Sequence, residues 1–134
     1  MSDVSLSLQK AILARLAGRA GLVVLVPVAN MFDRHVRPEV FPSILIGEGQ
    51  MVRDDLTLAD NHVRLFFTLH VWTHDGALAS ARAIASEIGA ALRGRFFEGV
   101  TAVSVRYRDA RFLRDGEYGH GVLTFEVLAE EFAA

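Results

Sequence analysis

The segment from Val63 to Leu92 constrains the fold more than any other. It begins V-R-L-F-F-T-L-H-V-W-T and alternates with period two. Val63, Leu65, Phe67, Leu69 and Val71 are all apolar and share one side; Arg64, Phe66, Thr68, His70 and Trp72 form a mixed opposite side. That is a strand with one face in a core and one face half wet. After His74-Asp75-Gly76 the period changes to that of a helix. Leu78, Ala81, Ala85, Ile88 and Leu92 fall on one side, with Arg82, Ser86, Glu87 and Arg93 around the rest. Asp75 is placed to cap the helix start, Gly94 to close it, and Arg93 and Arg95 to face its negative end. The small Ala-rich face lets such a helix lie close on a sheet, so this strand–turn–helix unit forms the middle of one core.

The flanking chain supplies the partners. Leu6 to Ala20 reads as a helix with a Leu8, Ile12, Leu16 stripe, bordered by Leu13, Ala17 and Ala20. Lys10, Arg15 and Arg19 stay wet, Ser5 or Ser7 caps the start, and Gly18 to Gly21 ends it. Leu22 to Asn30, interrupted by Pro27, is a docking loop or a short edge strand, and Met31 to Val36 a short strand. Ser43 to Glu48 is a further strand. Residues 49–61 show no apolar rhythm and form a long loop or an extended hairpin tip. Thr101 to Phe112 is a strand with Val103, Val105 and Tyr107 inward and Ser104, Arg106 and Arg108 outward. Asp115-Gly116 marks a hairpin turn, and His120 to Ala129 returns with Leu123, Phe125 and Val127 inward and Thr124 and Glu126 outward. The order α-β-β-β-α-β-β makes an α+β domain: a mostly antiparallel sheet of four to five strands with two helices on one face, spanning residues 1–134 as one domain.

Composition narrows the function. Hydrophobic residues make up 51% of the chain against 22% charged, and mean hydropathy is +0.29. Yet no run reaches the roughly 18 apolar residues of a membrane span, and Met1 to Leu8 has no basic lead-in of a signal peptide. The surplus points to a subunit interface or a large core. The absence of cysteine excludes disulfides and thiolate metal sites, and a net charge of -2 gives no overall signature of nucleic-acid binding. Only Lys10 among the 14 basic residues is lysine, a bias suggesting GC-rich coding.

Catalytic patterns are missing. His70 and His74 flank Trp72, but their spacing is not H-E-x-x-H and no third metal ligand is placed beside them. There is no G-x-S-x-G, no phosphate-cradling glycine loop, and no apolar setting to tune Asp54 and Asp55 for proton transfer. Arg106, Arg108, Arg111 and Arg114 form the one basic cluster; without alternating exposed aromatics it reads as a solvated sheet face or a protein interface, not a single-strand nucleic-acid platform. The residues describe an assembly subunit with no cofactor and no metal.

Four blocks carry a resemblance: L-Q-K-A-I-L-A-R-L at 8–16, F-P-S-I-L-I-G-E at 41–48, L-H-V-W-T-H-D-G at 69–76 before an Ala-rich helix, and A-R-F-L-R-D-G-E-Y-G-H-G-V-L-T-F-E-V at 110–127. In this order they resemble the tail-completion or tail-terminator proteins of long-tailed phages, small neck proteins with relatives in prophages and gene transfer agents. The resemblance covers nearly the whole chain and is weakest at Gly21 to Arg37. It implies a non-enzymatic α+β subunit of a closed ring, usually a hexamer, at the head-proximal end of the tail. Such a ring stops tail-tube polymerisation and joins the tube to the head–tail connector or stopper protein. DNA passes through its lumen without specific binding, no membrane takes part, and assembly occurs in the bacterial cytoplasm. Closed rings need heterologous contacts, one patch meeting a different one.

Within that frame Phe66, His70, Trp72, Arg106 and Arg108 are expected at or near a subunit interface, with Trp72 as anchor. Arg53, Asp54, Asp55 and Asp60 are expected to face the lumen, where like charge repels DNA, or an axial partner ring. The competing readings are a different head-completion protein, or a small ligand-binding or enzymatic dimer with His70, Trp72 and His74 lining a pocket.

Overall fold

Alternation from Val63 onward produces the expected strand, buried at Val63, Leu65, Phe67, Leu69 and Val71, with half-buried residues between them. The computed structural model describes residues 4–33, 37–54, 62–74, 78–93 and 101–130. In chain order the elements are helix α1 (Val4–Ala17), short helix α2 (Ala20–Val23), a 3-10 turn (Val28–Asn30), strand β1 (Met31–Asp33), strand β2 (Ser43–Asp54), strand β3 (His62–Thr73), helix α3 (Ala79–Ala91), strand β4 (Thr101–Asp115) and strand β5 (Tyr118–Glu130). The five strands form one sheet in the order β1-β2-β3-β5-β4. Only β1 and β2 run parallel; the other pairs are antiparallel. This is the α+β architecture the sequence implied.

One face of the sheet carries the core. Leu8, Ala11, Ile12 and Leu16 of α1 and Ala81, Ile84, Ala85 and Ile88 of α3 close over Leu65, Phe67, Leu69, Leu123, Phe125 and Val127. Phe67 and Phe125 stack with ring centroids 5.1 Å apart. Each fully buried side chain of this size contributes roughly 1.5–3 kcal/mol. Arg15 joins the helices: its Nε and a terminal nitrogen donate to the carbonyls of Ala91 and Arg93, each at 3.0 Å. Those carbonyls lie at the end of α3, where no intrahelical donor remains. The arginine read as wet therefore caps another helix, at the negative end that the sequence reading had Arg93 and Arg95 face.

Other local expectations shift. The first helix begins at Val4 and stops at Ala17, so Ser5 and Ser7 lie inside it and the chain restarts as α2 at Ala20. Leu22 to Asn30 is neither loop nor strand throughout; it holds the end of α2 and the 3-10 turn, with Leu22 and Val26 buried. Leu78 occupies the cap position of α3 without a side-chain cap bond. Asp75, Gly94 and Arg95 lie outside the described residues.

Within 49–61, residues 49–54 continue β2 in register with β3, from Gly49 opposite Phe67 to Asp54 opposite His62. A bulge between Ile46 and Gly49 hid this from a simple alternation. Residues 55–61, including Asp55 and Asp60, lie outside the described set. In β4, bulges after Ala102 and Tyr107 change the phase, so Ala110 and Phe112 pack on the core while Tyr107 stays partly exposed against Phe125. The β4–β5 turn has two residues, Gly116 and Glu117, and Gly116 takes φ +63, a conformation other residues rarely adopt.

Candidate assembly surfaces

The sheet's other face carries no helix among the described residues, and its strands set cross-strand neighbours there. Register pairs Phe66 and Arg106 with Glu126, Thr68 with Thr124, and Trp72 with His120. Two polar clusters result.

In the first, Glu126 of β5 is 3% exposed, although the alternation had placed it outward and wet. Arg64 of β3 and Arg108 of β4 each donate to one of its carboxylate oxygens from either side. The hydrogen bond from Arg64, strengthened by that from Arg108 and by both positive charges, holds the Glu126 carboxyl below its ordinary range in spite of burial. A charge removed from water is stable only when paired this way. Two guanidiniums are thereby fixed on an open sheet face.

In the second, His70 sits between His120 and Glu48. Its Nδ1 lies 2.9 Å from His120 Nε2, and its Nε2 lies 3.1 Å from Glu48 Oε1. With His70 neutral, the carboxylate selects the tautomer whose Nε2–H donates to Glu48, leaving Nδ1 to accept from His120 Nε2–H. Trp72 stacks on His120 with centroids 3.9 Å apart and planes 12° from parallel. Burial, followed by the His70 and Arg111 charges and opposed by Asp115, lowers His120 to about 4. The β2 bulge makes room for this arrangement. A Cβ on Gly47 would come within 2.7 Å of the His70 ring, so glycine lets the ring lie flat over the backbone.

Beyond Trp72 the aromatic surface continues through Tyr118, Phe41 and His74, with Arg37 4.3 Å above the Tyr118 ring. On the helical side, an apolar groove of about 550 Å³ opens between Leu25, Pro42, Ala79 and Ile84. Thr73 lines it, and the buried Thr73 Oγ1 has no hydrogen-bond partner among the described residues. Val24, Leu25, Val28 and Val40 are exposed; Val24 is 83% exposed. This is where the compositional surplus of apolar residues reaches the surface.

His70 and Trp72 are brought together through His120, while Phe66 and Arg106 flank Glu126. Trp72 is only 8% exposed, because His120 covers its ring. Arg53 and Asp54 end β2, with backbones opposite Val63 and His62. His74 turns to Phe41, Tyr118 and Glu117 and does not converge with His70. Among the described residues no three His, Asp or Glu side chains are grouped to hold a metal ion. Arg64, Glu126 and His120 escaped the sequence reading, since only the register of β3, β5 and β4 makes them neighbours.

Strand edges and a sheet face left uncovered among the described residues, together with exposed apolar side chains, define a protein that acts by contact: an assembly subunit. The particular assembly follows from its relatives. Residues 10–130 match the family "Tail completion protein gp17", and the chain belongs to that family. It is a structural component of a phage-type tail and not an enzyme. Its fold is similar to a chain in the virion of a native gene transfer agent particle: TM-score 0.79, 21% identity, covering 97% of this chain and 99% of that one. It is also similar to the gp17 protein of bacteriophage SPP1: TM-score 0.59, 21% identity, covering 97% and 94%. No curated protein sequence matches the chain.

Proposed function

We propose that this chain forms a closed ring at the head-proximal end of a phage-like tail, where it ends tail-tube growth and joins the tube to the head connector or stopper. The family match over residues 10–130 carries this reading. Exposed Val24, Leu25, Val28 and Val40 on one side of the domain and Met51, Val52, Tyr107 and Leu113 elsewhere support it, because a closed ring needs different patches to meet.

In this ring of six the outer-face residues Phe66, His70, Arg106 and Arg108 lie at or near the contact with the next copy. Trp72 acts there through His120. The end of the β2–β3 hairpin, with Arg53, Asp54, Asp55 and Asp60, faces the lumen or the axial neighbour. Its like charges keep passing DNA from adhering. The ring assembles in the bacterial cytoplasm before joining the particle.

Removing the gene from the producing cell tests this. The expected products are filled heads without tails and free tails with tubes of uncontrolled length. Joined particles with tails of normal length would overturn the reading.

A further inference from the structure

We propose that His70 and His120 form an acid-sensitive latch over Trp72: the two imidazoles share one proton between them, and a second proton parts them and uncovers the tryptophan. The latch belongs to the single chain and does not depend on how copies assemble.

It is built across four strands. His70 of β3 lies between Glu48 of β2 and His120 of β5, its Nε2 3.1 Å from Glu48 Oε1 and its Nδ1 2.9 Å from His120 Nε2. His120 stands opposite Trp72 in the β3–β5 register and covers its indole, which leaves that residue 8% exposed. From β4, Leu113 is opposite His120, and the charges of Arg111 and Asp115 act on it. Ser43 and Leu45 of β2, opposite Trp72 and His70, carry no charge. His74 is turned away towards Glu117. Among the described residues, the charged groups that act on the pair are therefore Glu48, Arg111 and Asp115.

A gap of 2.9 Å between two ring nitrogens has room for one proton. Neutral His70 accepts there from His120. One added proton leaves the bond intact: a His70 imidazolium donates from Nε2 to Glu48 and from Nδ1 to His120, once His120 carries its own proton on Nδ1. A further proton does not. Both imidazoles are then charged, and two N–H groups and two positive charges face each other across the same gap. Burial, then the His70 charge, with Arg111 adding to them and Asp115 opposing, already holds His120 down at about 4.

The surroundings decide which imidazole moves. Glu48 holds a charged His70 in place over Gly47, where a Cβ would stand 2.7 Å from the His70 side chain. His120 is half-buried and regains hydration by turning outward, drawn by Asp115. Cation–π attraction to Trp72 opposes that turn, but it is smaller than the cost of keeping two adjacent imidazoliums from water. The uncovered indole then extends the aromatic surface of Tyr118 and Phe41, so acid changes what this face of the sheet offers to another chain.

Acrylamide quenching of Trp72, the only tryptophan, tests the latch, in solutions dilute enough for the chain to be monomeric and with circular dichroism recorded on the same samples. Quenching should rise several-fold as pH falls through about 4, with secondary structure kept. His70→Asn puts an amide oxygen where Nδ1 stands. That oxygen accepts from His120 in either charge state, so the variant should keep Trp72 covered over the same range. A wild type whose Trp72 stays covered in acid, a rise that coincides with loss of secondary structure, or a His70→Asn chain that opens like wild type would each overturn the latch. Nitrogen NMR of the histidine side chains supplies a second measurement that needs no variant. It should find both His70 and His120 as imidazolium wherever Trp72 is exposed; exposure with only one of them charged would overturn the two-proton mechanism.

Discussion

Replacing Glu126 by glutamine probes the buried charge that organises the open sheet face. The side chain keeps its shape and loses its charge. Its remaining carbonyl oxygen can accept from one guanidinium, while its NH2 group meets the donors of the other. A hydrogen bond to a charged group is worth about 1.5–3 kcal/mol net. The Arg64 and Arg108 side chains are 32% and 48% exposed, so both recover part of that loss from water. The expected destabilisation is about 2–3 kcal/mol, measured by urea unfolding where the protein is monomeric, because association adds its own stability. The pH dependence fixes the cause. Glu126 is held below its ordinary value of 4.5 in the folded chain. Its contribution is therefore present above the unfolded value and lost as pH falls through the folded one. The gap between wild type and Glu126→Gln should stay constant from neutral pH down to the usual carboxylate range, then shrink. A variant within about 0.5 kcal/mol of wild type, a typical surface effect, would refute the reasoning. So would a gap that persists in acid.

Phe67→Ala removes a ring that is 6% exposed and stacked on Phe125, and should cost about 3–5 kcal/mol in the same assay. Gly116→Val forces a branched side chain into φ +63 and should lower stability by about 1–2 kcal/mol, with little change in far-ultraviolet circular dichroism. Trp72 is the only tryptophan, so its emission reports protonation of the stacked His120, with a midpoint expected near 4 and abolished by His120→Phe. Because the unfolded chain binds that proton at a higher pH than the folded one, stability should fall as pH drops from about 6.5 towards about 4, a window above that of Glu126.

The elements with uninterrupted periodicity were legible from sequence. β3, α3 and the inward Leu123, Phe125 and Val127 of β5 follow directly from period two or period 3.6. Alternation failed where a bulge changed its phase. Gly47-Glu48 hid the second half of β2; in β4 Val105 packs on the core as expected, but the bulge after Tyr107 shifts the phase so that Ala110 and Phe112 follow it there. Sites built across strands were less legible still. Glu126 looks like any outward-facing strand residue until register sets Arg64 and Arg108 beside it. The same holds for His120, which covers Trp72 and joins it to His70. Arg15 could not be distinguished from a solvated arginine, because the carbonyls it caps belong to a helix 76 residues away.

A reconstruction of the intact particle, with this chain located in it, tests the central claim most directly. The expected result is one closed ring of six copies between the last layer of the tail tube and the head connector. A single copy, an open helical stack along the tube, or a location away from the head–tail junction would contradict it.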